Sequence, residues 1–555
     1  MTSGGKSMIT LRKILGASVV LVALLAYLPA TEAHAKIEGH TGTSPTPVFN
    51  LTAKEGRIST GEANSLLIWG FADDDGQDNP QSIKGGVQYP GPTLIVKEGD
   101  VVTINLTNTL AEPVSLVFPG LDMQTSTVPV FNRGDKSKLT SLTPEALPGG
   151  KQLYTFIASR PGTFYYQSGS NQDIQIRMGL FGAIIVRPAQ TTSKLYTNVY
   201  PNHQTTDRTF TKFAYNEAGA PNQITAPGGA TISNVGASTG YDREFLYLVS
   251  EMDPDFQLWM DLVADRTKPV NYADWKDVSL RKTFIQWKAN YWFANGRNAP
   301  DDMTEDYNRT LPAQPYSCQP LMHPGEAILT RFINMGRDFH PLHTHGQHQR
   351  IVGGDGLIKS SVAVGPGDPA YVAQTTLTGA DLSTEEFTLT LSAGNTLDSI
   401  FTWTGKDLGW DAYGHNPGDL PAPYEYLPDH VGFVKTAQQT AFDSAAYGRD
   451  PSNRFAPLLG SGNPGPLQAG PTNFSADQLS FTFGNWFSGS PFLGGNLPLP
   501  PSNVSFNLGN GYYFMWHSHA EREITNNNIF PGGMLTMMGV IPWKTKITPA
   551  EMPYD

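Results

Sequence analysis

Two segments of the chain alternate apolar and polar residues with a period of two, and they resemble each other. The first, EGDVVTINLTN, runs from Glu98 to Asn108, and the second, PGEAILTRFINMG, runs from Pro324 to Gly336. Each contains a glycine, an acidic residue, apolar residues at alternating positions and then an asparagine. Alternation with this period indicates half-buried strands. Because helical periodicity is scarce elsewhere, the pattern predicts an all-β chain.

A second pair of segments repeats in the same order. TFYYQSGS, from Thr163 to Ser170, aligns without gaps onto YFMWHSHA, from Tyr513 to Ala520. MGLFGAIIVRP, which begins at Met178, resembles GGMLTMMGVIP, which begins at Gly532. Two similar units in one chain indicate duplication of one β domain.

The repeats predict the domain boundaries. We expect a first β domain at 45–190, an irregular linker at 191–242 and a second β domain at 243–545. The second domain is longer because of an insertion at about 406–510, which is rich in glycine, proline and aromatic residues. A disordered segment would contain fewer aromatic residues, so we expect an ordered loop over one end of the domain.

The N-terminal residues 1–35 have the features of an export signal. Positive residues precede the apolar run ILGASVVLVALLAYL, and the small-residue site Ala33-His34-Ala35 follows it. We therefore expect cleavage before Lys36 and a periplasmic or secreted mature protein. The apolar run is short for a membrane span, which leaves an uncleaved anchor as the less favoured alternative. No later stretch predicts a membrane span.

Composition excludes several classes of function. Charged residues make up 16% of the chain, the net charge is −12, and no basic block exists. Nucleic-acid binding is excluded because phosphate contacts require clustered lysine and arginine. A single cysteine, Cys318, excludes an intrachain disulfide and cysteine-ligated zinc or iron–sulfur sites. We expect Cys318 to be buried as a small apolar residue.

Half of the twelve histidines fall in two short clusters. The segment HPLHTHGQH begins at His340 and contains His343 and His345, and the segment HSH contains His517 and His519. Side chains two residues apart in a strand point to the same face, so each of these pairs forms a fork of imidazoles. Imidazole binds copper, zinc, iron and nickel. If the two strands are neighbours, four nitrogen donors converge on one metal ion.

These motifs resemble the multicopper oxidases, a family that includes laccases, cuprous oxidases and copper-resistance proteins. The resemblance is carried by PGEAILTRFIN with HPLHTHG, by HSH followed by GGML, and by GPTLIVKEGDVVTINLTN and PGTFYYQSG with GLFGAIIV in the first domain. It covers most of the chain from about 45 to 545, except the insertion. It implies tandem cupredoxin-like Greek-key β-barrels.

The family pattern implies a role for each histidine of the second domain. In the family, a blue copper is bound by one cysteine and two histidines, and a three-copper cluster is bound by eight histidines in four His-x-His pairs. The resemblance assigns His343, His345, His517 and His519 to the three-copper cluster and His340 to the blue copper. The cysteine position holds Ser518, and the second blue-copper histidine position holds Glu523.

The first domain lacks the corresponding ligands. Its two histidine pairs are replaced by Val117 with Pro119 and by Gln167 with Gly169. A serine hydroxyl cannot replace the soft thiolate of a blue site, and four histidines are too few for three coppers. The remaining forks, His343 with His345 and His517 with His519, are expected to hold one copper ion, with zinc less favoured.

Other polar residues are candidates for additional or supporting contacts. Glu521 and Glu523 are candidate acceptors for a histidine N–H, Met534 offers a thioether near the last motif, and His340 and Ser518 complete the set. No catalytic residue stands out.

The sequence thus predicts an exported copper-binding protein of this family that acts in redox chemistry or in copper handling. A metal-free extracellular binding or structural protein on the same scaffold is the alternative. Four-electron oxidase activity is excluded by the missing thiolate and ligands. The substrate, any small-molecule or protein partner and the oligomeric state are open, although two-domain relatives often form trimers.

Overall fold

The structure of the protein is a computed structural model. It describes residues 37–74, 86–125, 128–131, 136–189, 194–196, 208–216, 223–225, 231–233, 238–269, 287–323, 325–360, 379–403, 512–540 and 547. The predicted signal segment 1–35 and the predicted insertion 406–510 lie outside these residues.

The N-terminal unit is built from strands β1 to β12 and one short helix. The strands are β1 (His40–Thr41), β2 (Val48–Ser59), β3 (Ser65–Asp73), β4 (Val87–Gln88), β5 (Gly91–Lys97), β6 (Val101–Asn108), β7 (Asp122–Met123), β8 (Val130–Phe131), β9 (Leu139–Ser141), β10 (Lys151–Ile157), β11 (Gly162–Gln167) and β12 (Phe181–Arg187). Helix α1 (Gln172–Met178) connects β11 to β12.

Two sheets enclose the core of this unit. One has the order β1-β5-β12-β11 and the other the order β4-β3-β2-β6-β10-β7, while β8 and β9 form a separate hairpin. Strand β6 shows the predicted alternation, since its even-numbered residues are buried and its odd-numbered ones are not. Buried residues of both sheets, including Ile104, Phe156 and Tyr166, belong to one apolar cluster.

The segment between the two units contains short paired strands where the structure describes it. They are β13 (Lys194–Tyr196), β14 (Arg208–Phe210), β15 (Lys212–Phe213), β16 (Gln223–Thr225), β17 (Thr231–Ser233) and β18 (Gly240–Tyr241). They pair as β13 with β14, β15 with β18 and β16 with β17. Phe210, Phe213 and Tyr215 of this segment pack in one cluster with Leu329 and Ile400 of the second unit.

The C-terminal unit is built from strands β19 to β30. They are β19 (Arg243–Met252), β20 (Tyr291–Ala294), β21 (Leu321–Met322), β22 (Ala327–Asn334), β23 (His340–Thr344), β24 (Gln349–Gly354), β25 (Leu357–Ile358), β26 (Thr384–Glu386), β27 (Thr388–Leu391), β28 (Thr396–Thr402), β29 (Tyr512–Ser518) and β30 (Leu535–Val540). Helix α2 (Pro254–Leu262) and the 3-10 helices Asp301–Met303 and Glu521–Ile524 complete it.

The two units share one strand topology. In the first, β3-β2-β6-β10 are neighbours, and β2 and β6 are parallel. In the second, β20-β19-β22-β28 are neighbours, and β19 and β22 are parallel. The other sheets agree too, because β5-β12-β11 corresponds to β21-β30-β29, with one parallel and one antiparallel pair in each. The repeated sequence segments are therefore equivalent strands.

The predicted fold class is confirmed: the chain is all-β and contains two cupredoxin-like units in tandem. Cys318 is fully buried, as predicted. Among the described residues, none of the helices has the length and apolar character that crossing a membrane requires.

A buried arginine connects the two units. Arg331 in β22 donates from Nε to Glu244 Oε1 at 2.7 Å and from Nη1 to Thr163 Oγ1 of the N-terminal unit at 3.0 Å. The same Nη1 lies 3.5 Å from Asp398 Oδ1. Arg331 is fully buried, and its two carboxylate partners are nearly so. This contact thus joins charged groups that water does not screen.

Two further residues extend the network to the N-terminal unit and the linker. Arg187 of β12 donates to Glu244 at 2.8 Å, and Tyr215 donates to Asp398 at 2.5 Å. Burial disfavours the charged form of Glu244, but Arg187 and Arg331 outweigh burial and lower its pKa to about 2. The network holds the two β units and the linker in one arrangement.

Replacing the central arginine tests this role. Arg331→Met leaves Glu244 and Asp398 buried without their shared cation, and breaking a buried ion pair on one side costs about 3–5 kcal/mol. We expect a loss of that size in the free energy of unfolding, measured by chemical denaturation. The control is Arg57→Met, since Arg57 forms an exposed pair with Asp261 at 2.7 Å, and exposed pairs contribute at most about 1 kcal/mol. Equal, small losses in both variants would contradict the role assigned to Arg331.

Candidate metal centre

The two histidine forks lie on adjacent strands. β23 pairs with β29 in antiparallel orientation, with His343 directly opposite His517 and Leu342 opposite Ser518. Directly opposite residues project to the same face of a sheet, at a distance suited to contact. The pairing therefore places both forks on one face.

The rings of the two forks are in contact. His345 Nε2 lies 3.2 Å from His517 Nε2. Ligand atoms from His343, His345 and His517 all lie within 4.8 Å of one another. The ring of His519, which is exposed, has its centroid 4.8 Å from that of His343 and 5.7 Å from that of His517. Three imidazoles thus form a compact donor set, with the fourth beside them.

Hydrogen bonds to the second ring nitrogen orient two of these imidazoles. His343 Nδ1 lies 2.6 Å from Thr388 Oγ1 on the neighbouring strand β27, and His517 Nδ1 lies 2.7 Å from the carbonyl oxygen of Ser518. A carbonyl oxygen only accepts, so Nδ1 of His517 carries the proton and Nε2 keeps its lone pair. Such contacts to the far nitrogen are typical of metal-binding histidines. Sequence reasoning missed Thr388, because β27 follows the fork by more than forty residues.

The cluster favours neutral rings. Burial, followed by the neighbouring rings of His345, His517 and His519, lowers the pKa of His343 to about 4. Burial also lowers the pKa of His517, assisted by His519 and opposed by the Ser518 carbonyl. A neutral imidazole is the form that binds a metal ion.

His340 belongs to a different site, on the opposite face of β23. It is buried, its Nδ1 lies 2.9 Å from Glu523 Oε2, and its Nε2 lies 3.2 Å from Glu251 Oε2. Ser518, on the inner face of β29, donates to the same Glu523 Oε2 at 2.5 Å. Sequence reasoning missed Glu251, which lies on β19, about ninety residues before the motif.

This second site does not fit a blue copper. His340, Ser518 and Glu523 stand at the three positions that the resemblance assigns to the blue copper, and one carboxylate oxygen of Glu523 is in contact with both other side chains. The donor set contains a hydroxyl and a carboxylate in place of the thiolate and the second imidazole, and it lacks the soft ligand. The site holds a proton between His340 and its two carboxylates. Burial lowers the pKa of His340, but hydrogen bonds and charge from Glu251 and Glu523 outweigh it and raise the pKa to about 9.

The structure does not bring the remaining candidates to the histidine cluster. Glu521 is exposed on the 3-10 helix after the second fork. Met534 is fully buried in the apolar core of the C-terminal unit, with Trp516 and Phe514. Of the remaining candidates, Glu523 contacts His340 and Ser518 contacts Glu523, so both belong to the His340 site.

The corresponding positions of the N-terminal unit hold no histidine, and one of them, Gly169, has no room for a side chain. Val117 lies opposite Gln167 there, as His343 lies opposite His517 in the second unit. A Cβ atom on Gly169 would lie 2.8 Å from Ser115 Oγ and from Val117 Cγ1, closer than real contacts allow. No side chain, and so no ligand, fits at that position without a shift of its neighbours.

Comparisons with known proteins agree with the motifs. Residues 72–191 match the family model described as "Multicopper oxidase". "Laccase 1" of Metarhizium acridum is 34% identical over 112 residues, which cover 20% of this chain and 17% of the laccase. "L-ascorbate oxidase" of Cucurbita pepo var. melopepo is 34% identical over 107 residues, which cover 19% of this chain and 17% of the oxidase. The matched segment thus spans about a sixth of either relative.

Among solved structures, a blue copper oxidase from Nitrosomonas europaea overlaps 89% of this chain and 85% of its own, at 15% identity and a TM-score of 0.41. The likeness to multicopper oxidases rests on the sequence comparisons and not on this structural overlap. An all-β chain with imidazole forks on adjacent strands is a cupredoxin-like protein with a metal-type donor set. The family model and the relatives that match are multicopper oxidases, and this supports the family that the motifs of the chain predicted.

The network around His340 predicts a pH-dependent contribution to stability. The pKa of His340 rises from its ordinary value of 6.5 to about 9 on folding, so its contribution is complete below pH 6.5 and is lost as the pH rises through about 9. Glu523→Gln removes one charged partner and is expected to cost about 1.5–3 kcal/mol at pH 6.5. The cost is expected to shrink as the pH approaches 9, measured by chemical denaturation across the range.

Glu521→Gln is the matched control, because Glu521 lies exposed on the same 3-10 helix. It is expected to change stability by less than about 0.5 kcal/mol at either pH. A pH-independent cost for Glu523→Gln would show that His340 carries no proton in the folded protein.

Proposed function

We propose that this protein is an exported copper-binding member of the multicopper oxidase family with one copper ion held by His343, His345 and His517. His519 is the fourth candidate ligand. The observation that carries the proposal is the 3.2 Å approach of His345 Nε2 to His517 Nε2, beside a third imidazole. Without a metal ion, packing three imidazoles together removes them from water for little gain, and a shared ion supplies that gain.

Copper is favoured over zinc on two grounds. Sites of nitrogen donors bind copper more tightly than zinc in the general order of divalent-metal affinities. The family model that residues 72–191 match describes multicopper oxidases. Zinc remains the competing ion, because three imidazoles also suit tetrahedral zinc.

The donor set supports a single ion. Within the described residues, these three histidines form the group that presents convergent metal ligands. The N-terminal unit offers valine and glycine at two of the positions where further ligands would lie, and the Gly169 position is closed. The His340 site lacks the thiolate, so the electron route of a four-copper oxidase is missing. A bound copper would supply one-electron redox chemistry or reversible copper storage.

The chain's own residues determine what the site can do. Thr388 and the Ser518 carbonyl fix the ring orientations of His343 and His517. Because His519 is exposed, solvent reaches the histidine cluster on the side where His519 lies. Small molecules can therefore reach the site, as both redox chemistry and copper exchange require. The predicted signal segment 1–35 supports export. The site would therefore handle copper outside the cytoplasm.

Metal analysis tests the proposal directly. Full-length mature protein loaded with Cu(II) is expected to retain about one copper per chain and to show the electron paramagnetic resonance of a nitrogen-ligated site without blue colour. His343→Ala or His517→Ala is expected to weaken binding by more than about 100-fold, since loss of even a supporting partner costs about 10–100-fold.

His348→Ala is the control, because His348 lies in the same motif but contacts Gln347 and Phe387. Binding is expected to survive in it. Failure to retain copper in the unmodified protein, or equal binding in all variants, would overturn the proposal and favour the metal-free binding or structural protein. Preferential retention of zinc would overturn the choice of copper as the metal but not the assignment of the ligands.

A further inference from the structure

A cavity of about 470 Å³ lies between the N-terminal and C-terminal units, away from the histidine cluster. The interdomain pocket, as we call it, is lined among others by Tyr165, Gln167, Arg177, Glu251, Trp287 and Arg337. Its volume is within the range of small-molecule sites, about 300–1,000 Å³. Such sites occur preferentially between domains.

One buried polar atom at this pocket lacks a partner within the described part of the protein. Trp287 Nε1 is buried without a hydrogen-bond partner. The half-buried Tyr165 and Gln167 and the exposed Arg337 line the same cavity and offer further polar side chains to a ligand. Buried polar groups are normally satisfied, so the free indole N–H beside the cavity indicates a missing partner.

The chemistry of these groups selects the ligand. Trp287 Nε1 and Arg337 can only donate, while Tyr165 and Gln167 can do either, so the set needs an acceptor. Two cations surround the indole of Trp287, with Arg337 Cζ 4.6 Å and Arg177 Cζ 5.8 Å from a ring centroid. A carboxylate matches a guanidinium with two parallel hydrogen bonds.

Two acidic residues line the pocket, Glu251 and Asp173. Asp173 is exposed, so water and salt screen its charge, and the charge of Glu251 is compensated by the protein. Glu251 Oε1 accepts from the backbone N–H of Arg337 at 2.5 Å and of Asp338 at 3.2 Å, while Oε2 faces His340. Its charge is thereby compensated inside the wall. The aromatic faces of Tyr165, Phe181 and Trp287 favour a flat apolar body.

We propose that the interdomain pocket binds a small planar aromatic carboxylate, with the carboxylate at Arg337 and the ring beside Trp287. Gln167 occupies a position that the family uses for a copper ligand, and in this chain it lines the pocket. The site is independent of the copper proposal, because none of its lining residues belongs to the histidine cluster.

Calorimetric titration of the full-length protein with benzoate tests the proposal. We expect saturable binding with a dissociation constant below about 1 mM. Benzamide and cyclohexanecarboxylate are expected to bind at least about 10-fold more weakly, because one lacks the charge and the other the flat ring. Absence of saturable binding at about 10 mM benzoate, or equal affinity for the three probes, would refute it.

Variants locate the binding. Arg337→Gln changes an exposed side chain and is expected to weaken benzoate binding at least about 10-fold. Trp287→Phe keeps a ring but removes the N–H. It is expected to weaken benzoate binding less than Arg337→Gln does. Arg160→Gln is the matched control, because Arg160 lies outside the pocket, with its Cζ 5.9 Å from the ring centroid of Phe164. This variant is expected to bind benzoate with unchanged affinity. Unchanged affinity in Arg337→Gln would overturn the assignment.

One further variant separates the two proposals. His343→Ala is expected to bind benzoate as the unmodified protein does, whether or not the protein retains copper. Loss of benzoate binding in this variant would show that benzoate binds at the histidine cluster, and would refute the pocket.

Discussion

The antiparallel register between β23 and β29 is the constraint on which both sites of the second unit depend. With His343 opposite His517, alternation along the strands directs the two forks to one face and directs His340 and Ser518 to the other. A slip of one residue would exchange the two sets, burying the forks and exposing His340. The core fixes this register, because Leu342 and Trp516 pack in the same apolar cluster behind the strands. The pleat of the sheet thus separates the candidate metal ligands from the buried charged groups around His340.

The inner site holds hydrogen-bonded side chains at the positions that the family resemblance assigns to a blue copper. A blue copper links three side chains from separate segments, and here Glu523 Oε2 links His340 and Ser518 while Glu251 neutralises the far side of the ring. This linkage keeps β19, β23 and the 3-10 helix after β29 connected. It also gives His340 a structural role, since a protonated imidazole between two carboxylates contributes to stability whereas a neutral one would leave a buried charge unpaired. The hydrogen bonds of Glu523 and Glu251 thus connect these segments through side chains alone.

The fold class, the duplication and the histidines of the forks could be predicted from the sequence alone. Each follows from the period-two alternation of apolar and polar residues or from a repeated motif. The sequence predicted that the forks converge only on the condition that their strands are adjacent, and the pairing of strands some 170 residues apart satisfies that condition. It could not identify Glu251 or Thr388, because neither lies in a motif and both reach the histidines through sheet topology. The interdomain pocket was equally hidden, since Tyr165, Trp287 and Arg337 come from different strands and loops that only the packing of the two units brings together.

The two units keep one topology but have diverged in what their equivalent positions do. Val117 and Gln167 face each other at the positions equivalent to His343 and His517, so the geometry of a fork pair persists without its chemistry. Hydroxyls fill the space beside them: Ser115 Oγ lies 2.7 Å from Ser141 Oγ, at a position where Gly169 admits no side chain. Restoring histidines to the first unit would therefore require repacking this hydroxyl network, not merely substituting two residues. The buried network around Arg331 joins the two units through side chains that lie outside both sets of equivalent positions, so the contact between the units does not depend on what those positions hold.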